Sequence, residues 1–327
     1  MRRTFIFRRK GLGVNMGKTA KNAEPPGQKL KMIKKMRTYY LLLLPFLAFI
    51  VIFKYVPMYG ITLAFKDFRI LDGIMGSPWA GFKYFRQLFE AASFYEVLRN
   101  TIVISLKKLL FSFPAPIILA LFINEIRNER VKKTFQTFSY LPHFISWIIA
   151  ASFISDILSL RGPINTLIGQ LGGDPVYFMA ETKWFQPILV LSAIWKNSGW
   201  SSIVYIAAIT GIDQDLYEAS SIDGAKKLQQ IWFITLPCIR TTIITLFILE
   251  VGKIMSAGFD QVYNLYSPVV YSVGDILDTY TYRQGIVKSN YSYATAAGLF
   301  QNVIGFILVI ASNVTVKRLS DGEEGLW

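Results

Sequence analysis

"YEASSIDGAKKLQQIWFITLP", residues 217–237, lies between two of the most apolar segments of a 327-residue chain. Glu218, Asp223, Lys226, Lys227 and two glutamines keep it out of a bilayer, where a charge at the centre costs about 2.5–3.5 kcal/mol on insertion scales. Its apolar residues nevertheless recur at helical spacing on both sides of Gly224. Asp215 followed three residues later by Glu218 reads as a helix start, a side-chain acceptor meeting free backbone N–H groups. Gly224 permits a bend, and a second helix from about Ala225 to Leu236 stops at Pro237. A stiff, charged helix–glycine–helix element beside apolar spans suits the grip of another protein. The plainer alternative is an amphipathic hairpin lying at the interface.

Outward from this stretch, the chain is 53% hydrophobic and only 17% charged, less charge than a soluble domain of this length carries. A helix needs about 20 mostly apolar residues to cross the hydrocarbon core. Six stretches qualify: about 39–59, 100–124, 136–159, 185–210, 240–259 and 294–315. The fold class expected is therefore an all-α membrane protein with six transmembrane helices. Residues 1–37 form a basic tail without a packed core, 38–318 the membrane domain with the loop 213–237, and 319–327 a C-terminal tail.

The net charge of +14 raises nucleic acid as a partner, but its placement argues against one. Residues 1–37 hold twelve Lys or Arg and one acid, Glu24, directly before the first span. That asymmetry, with "RNERVKK" (127–133), places the N-terminus in the cytoplasm. Six spans return the C-terminus to the same side and put 217–237 there too. The tail suits anionic lipid. "GLGVNMGKT" (11–19) imitates a phosphate-binding loop, but Gly11 leaves five residues before Gly17 and Gly13 leaves three, where such a loop needs four.

Enzyme chemistry finds little to work with. One cysteine, Cys238, and one histidine, His143, supply neither a metal cluster nor a disulfide. No Ser/His/Asp set assembles around a histidine at that position. The expectation is a non-enzyme without a metal or cofactor of its own.

The pattern Glu218-Ala219-Ser220-x-x-Asp223-Gly224-Ala225, eleven residues, then Pro237 resembles the "EAA" loop of type I ATP-binding-cassette importer permeases. Ser220 replaces the usual second alanine, and Ile231 stands where phenylalanine is common. "LDTYTYRQGI" (277–286), "YSYATAAGLFQNVIG" (291–305) and the closing "KRLSDGEEGLW" look like the carbohydrate-uptake branch, of maltose-permease type. The resemblance runs from about residue 38 to the end. It implies a coupling helix that docks in a cytoplasmic ATPase subunit. Glu218 would then meet an arginine there, Gly224 would form the bend, and Ala219 and Ala225 would allow close approach. It also implies a second, homologous permease subunit, an ATPase dimer carrying ATP and magnesium, an extracytoplasmic substrate-binding protein, and a bacterial inner membrane.

A transport path should show as polar residues at membrane depth. "IWKNSGWSS" (194–202) lies at the centre of the fourth expected span. Trp195, Lys196, Asn197, Ser198, Trp200 and Ser201 are too polar together for a lipid-facing stripe, and Gly199 could loosen the helix where it lines a cavity. Indole faces suit sugar rings, while amides and hydroxyls suit sugar hydroxyls. A helix-packing stripe is the alternative. By resemblance, Asn197 and Trp200 match positions lining the maltose-type cavity. Glu250, Lys253 and Ser256 follow at spacings of three on one face of the fifth span; Glu250 and Lys253 either neutralise each other or join the wall. Five lysines fall within the expected spans (Lys54, Lys107, Lys108, Lys196, Lys253). Lys54 can snorkel, and Lys107 and Lys108 can reach the outer interface. An excess of buried positive charge would suit an acidic, uronate-containing oligosaccharide.

The long aromatic outer loops, 60–98 and 260–293, offer a landing site for a binding protein. Thr279, Tyr282 and Arg283 of "TYTYR" (279–283) are candidates. Pro163 starts a short outer helix that ends at Gly172 and Gly173. Two other readings stand beside the importer. An ion-driven secondary transporter would need inverted repeats and a mid-membrane carboxylate. A non-transporting scaffold would leave the polar fourth span without a purpose.

Overall fold

The computed structural model describes residues 36–319 and Gly325, so the basic tail and the 11–19 stretch lie outside the described residues. The chain divides into two compact units, one ending at Tyr59 and one beginning at Gly60.

In the first unit, helix α1 (Arg37–Ile50) carries "LLLLPFLAFI" and buries none of its side chains. It continues through a wide π-type turn at Val51–Tyr55. A helix apolar on every side has lipid or another protein as its only comfortable surroundings.

The second unit is helical throughout, and its described residues form no strand; Lys66 and Trp79 make a single isolated bridge. After the short α2 (Lys83–Glu90) come α3 (Ala92–Phe111) and α4 (Pro114–Asn124), which follow one another as a 33-residue apolar run. Helices α5 (Glu129–Tyr140) and α6 (Trp147–Ile157) come next, then the outer α7 (Pro163–Gln170). Helix α8 (Thr182–Thr210) has 29 residues and packs most extensively on α4. Beyond it lie α9 (Gln214–Ile222), α10 (Lys227–Gln230), α11 (Arg240–Val251), α12 (Phe259–Leu265), α13 (Leu277–Tyr282) and the 29-residue α14 (Tyr291–Leu319). One core gathers Phe185, Leu189, Ile104, Val262 and Ile276; another packs Phe94 and Leu277 against Tyr280 and Ala297.

Among the described residues, three runs are long and apolar enough to cross a membrane: Arg37–Phe65, Ala92–Asn124 and Tyr291–Arg318. Two bent helix pairs bring the number to five if each is one span. Helix α8 is not among them, because its polar centre dilutes its hydropathy.

The structure revises several local expectations. The span expected over 136–159 is broken, with Glu129–Phe144 and Trp147–Ile157 meeting at 102°. The span expected over 240–259 stops as a helix at Val251, and turns carry the chain to Gly258, whose φ of +94° begins α12. Gly199 does not loosen α8, which runs through it. Its role is close approach: a methyl group there would overlap the carbonyl of Ser139 on α5, so only a residue without Cβ lets the two backbones touch. The outer helix at Pro163 is where its proline places it, and Gly172 turns the chain at φ +83°.

Candidate functional site

A cavity of about 640 Å³ opens among α8, α11 and the ends of α3 and α12. Its wall includes Asn197, Trp200 and Ser201 from α8, and Glu250, Lys253 and Ser256 from α11 and the turn after it. The α8 residues share one stripe, since positions 197, 200, 201 and 204 recur at helical spacing. Trp200 is held by parallel stacking on His143, centroids 4.8 Å apart, and by an edge contact with Phe144. Glu250 and Lys253 form an ion pair of 3.0 Å, and both side chains remain exposed. Each serves as a wall residue while neutralising the other. Ser256 donates to Asp278 at 2.9 Å, which also accepts from Gln301 at 2.7 Å.

Two expected members of the path are elsewhere. Trp195 points to another face of α8, stacks on Phe153 at 6.3 Å and does not line the cavity. Lys196 is 5% exposed, and its ammonium donates to the carbonyls of Pro142 (3.2 Å), His143 (2.8 Å) and Ile145 (2.5 Å). Those carbonyls lie at the 102° break, where Pro142 O also accepts from Ile145 N at 3.3 Å, and a cation there supplies further donors while favouring the helix C-terminus. Lys196 braces a broken span.

Among the wall residues that sequence reasoning missed, Lys108 and Trp147 matter most. Lys108, expected at the outer interface, instead lines the cavity. It donates to Ala257 O (2.6 Å) and Gln261 Oε1 (2.5 Å), while Gln261 in turn donates to Leu189 O (2.6 Å) and Ser192 Oγ (2.7 Å). Trp147, at the start of α6, supplies a second indole to the wall. Lys108's partners lie about 150 positions away in the chain, so only a charge at span depth marked it in advance. Within the cavity wall, Lys108 and Lys253 face Glu250 and Asp260, so the formal charges balance. The excess of lysines lies outside this space.

The loop 213–237 is a braced element. Asp213, not Asp215, caps α9, its carboxylate accepting from Asp215 N at 3.1 Å. Glu218 falls mid-helix and is exposed. At the far end Ala225 N bonds to Ser220 O (2.9 Å) and Gly224 N to Ser221 O (3.1 Å), with Gly224 at φ +81°. That pair of bonds around a left-handed residue is a Schellman cap. Gln230, 3% exposed, reaches back across the bend to Ser220 Oγ and Ser221 Oγ, both at 2.9 Å. Ser220, read as a mild replacement of alanine, is thus a hydrogen-bond partner. The second helix has about the expected extent, Lys227–Cys238, but it widens into a π turn at Ile231–Thr235 and passes Pro237 by one residue. Ile222 (86% exposed), Leu228 (70%) and Phe233 (79%) stand bare around Glu218, Asp223 and the half-buried Ala225, while Ala219 is exposed on α9.

Among the outer candidates, Thr279 is fully buried and cannot meet a partner. Its hydroxyl donates to Asp275 Oδ1 (2.8 Å) and accepts from Ile276 N (3.0 Å), closing the start of α13. Arg283 forms an ion pair with Asp275 under the rings of Tyr271 and Tyr280, and that carboxylate raises the guanidinium pKa above its ordinary value. Tyr282 stays part-exposed and packs on Phe259 and Tyr263. On the 60–98 loop, hydrogen bonds from Lys83 and then Tyr84 hold the Asp67 carboxyl below its usual range. Among the described residues no cluster of His, Cys, Asp and Glu fit for a metal ion is found.

Comparison with known proteins places this geometry. The model of the family described as "Binding-protein-dependent transport system inner membrane component" matches residues 112–321. Protein LplB of Bacillus subtilis (strain 168) is 44% identical over 90% of this chain and 92% of its own. The polygalacturonan/rhamnogalacturonan transport system permease protein YteP of the same organism is 43% identical over 91% of this chain and 92% of its own. Among solved structures, a bacterial ABC transporter involved in import of the acidic polysaccharide alginate superposes with a TM-score of 0.83. It shares 41% identity and covers 89% of this chain and 99% of that one. A second, of a bacterial alginate ABC transporter in complex with alginate pentasaccharide-bound periplasmic protein, gives the same TM-score at 40% identity over 90% and 99%.

Proposed function

This chain belongs to the family of binding-protein-dependent transport system inner membrane components, and on that premise we propose that it forms half of the pathway of an ATP-driven importer of acidic oligosaccharides. The observation that carries the reading is the cavity of about 640 Å³ between α8 and α11. It sets the indole of Trp200 beside the amide of Asn197 and the Glu250–Lys253 pair. Indole faces cover the apolar faces of sugar rings, and the polar groups meet hydroxyls and carboxylates. The acidic class is supported by relatives named for polygalacturonan and alginate. The charge-balanced cavity wall does not by itself favour an acid.

In this reading both termini are cytoplasmic and six spans cross the membrane. The five apolar ones are joined by α8, whose polar centre faces the path. The 213–237 loop docks in a cytoplasmic ATPase dimer, which holds ATP and magnesium. Glu218, Asp223 and the exposed Ile222, Leu228 and Phe233 make the contact, with Ala219 and Ala225 allowing close approach. A second permease subunit completes the pathway, and an extracytoplasmic binding protein delivers the saccharide near Tyr282. ATP closes the ATPase dimer and turns the cavity outward, and hydrolysis resets it. The chain transmits this work and performs no catalysis.

The test is gentle solubilisation of native membranes and capture of the chain by a C-terminal tag. An ATPase and a second permease should be recovered with it, and the ATPase lost from a Glu218→Lys, Gly224→Asp double variant. A chain recovered alone that catalyses ion-dependent uptake in vesicles would refute the coupling reading.

A further inference from the structure

A second, smaller pocket of about 270 Å³ lies between α3 and the first turns of α8, away from the main cavity. Three of its wall residues are cations, Arg99, Lys107 and Lys183, and none is a carboxylate. The side-chain amides of the wall are already committed. Asn100 donates to the carbonyls of Tyr271 (3.4 Å) and Ser272 (3.1 Å), and Gln186 to that of Val273 (2.9 Å). They tie the outer segment 271–273 to the pocket's edge. Lys107 spends one of its three N–H donors on Gln186 Oε1, at 2.6 Å. Arg99 is exposed and has no hydrogen bond or ion pair among the described residues. Lys183 meets Glu181 at 2.8 Å, a pair exposed on both sides and therefore weak.

The location joins this pocket to the path. On α8, positions 183 and 186 belong to the same helical stripe as 193, 197, 200 and 204 of the large cavity, by the repeat of three and four residues. Lys183 and Asn197 are separated by about 20 Å along the helix, at 1.5 Å per residue. An extended oligosaccharide can bridge that interval and a single sugar cannot. Lys107 and Lys108, adjacent in sequence, thus serve two different pockets, the small one and the large cavity.

We propose that the small pocket is an outer recognition subsite for a carboxylate of an acidic saccharide, met before the chain reaches the large cavity. This rests on the saccharide reading above. Guanidinium and ammonium groups with free donors bind carboxylates by short, charge-assisted hydrogen bonds. The pocket's volume admits one sugar ring with its carboxylate, so it selects by charge, while the longer cavity accommodates the rest.

The test uses the full complex with its binding protein in proteoliposomes, and follows ATP-driven uptake of a galacturonate pentasaccharide and of its uncharged methyl ester. Arg99→Gln combined with Lys107→Gln should lower acidic uptake about tenfold, the scale of one lost charged hydrogen bond, and leave ester uptake and the unfolding midpoint in place. Arg99→Lys with Lys107→Arg should retain acidic uptake. Equal losses for both sugars, or no loss, would overturn the subsite. So would loss of a tightly held anionic lipid in the Gln variant with both uptake rates intact, which would assign the pocket to a lipid phosphate. A wild-type complex that carries neither sugar would instead bring down the saccharide reading itself.

Discussion

A lysine at membrane depth either stays open to a cavity or is used up by the protein, and Lys253 and Lys196 take these two courses. Lys253 stays 67% exposed beside Glu250, whereas Lys196 is spent on three carbonyls at the break between α5 and α6. Replacing each by methionine should separate them. Lys196→Met removes the ammonium donor from those carbonyls and should cost roughly 3 kcal/mol, the upper range for a hydrogen bond to a charged group. Lys253→Met breaks an exposed pair and should cost less than about 1 kcal/mol. Thermal unfolding of the purified complex decides, and equal midpoints would remove the bracing role. In the sequence the two lysines looked alike because both are charges within an apolar run. Their difference is one of helical phase against neighbours, which Asn197, one residue on, already changes by about 100°.

At the scale of elements, the helix–glycine–helix loop shows how local chemistry sets a shape before any partner arrives. Asp213 begins α9, the cap around Gly224 ends it, and Gln230 locks the second helix to the first. Gly224→Ala has open space for its methyl group yet forces a Cβ into the left-handed region, at roughly 1–2 kcal/mol. Gly211→Ala, at φ −80° on the end of α8, carries no such strain. Hydrogen exchange of the 219–225 amides should quicken by roughly 5–30-fold in the first variant and stay near wild type in the second. Exchange that is equally slow in both would show that the bend does not depend on a left-handed residue. The loop's existence and its glycine were legible in the sequence. Its true cap and its Gln230 brace were not, because either aspartate satisfies the local pattern and the brace forms only once the chain has folded back.

For the whole molecule, the proposed path depends on which face of α8 meets the cavity. Trp200 and Trp195 are both about 40% exposed, at 44% and 40%, but only Trp200 lines the cavity. Trp200→Ala removes a stacking face for a sugar ring and the support of His143, and should lower uptake about tenfold, within the range of one aromatic contact. Trp195→Ala should leave uptake close to wild type. Uptake by the reconstituted complex, with recovery of all subunits checked in parallel, distinguishes the two; similar losses would mean that the path is not where the cavity lies.

The sequence by itself determined the class of this protein: apolar runs of span length, and the 217–237 pattern that points to the family. Each is a property of residues close in the chain, where composition and helical spacing act directly. The tertiary structure decided the rest. It broke the third expected span and gave Lys196 to the break, placed Lys108 in the cavity, buried Thr279 in the first turn of α13, and put Gly199 against the backbone of α5. These outcomes depend on carbonyls, carboxylates and backbone brought together from distant positions, and a buried charge or a missing Cβ acquires its role only from what packs against it.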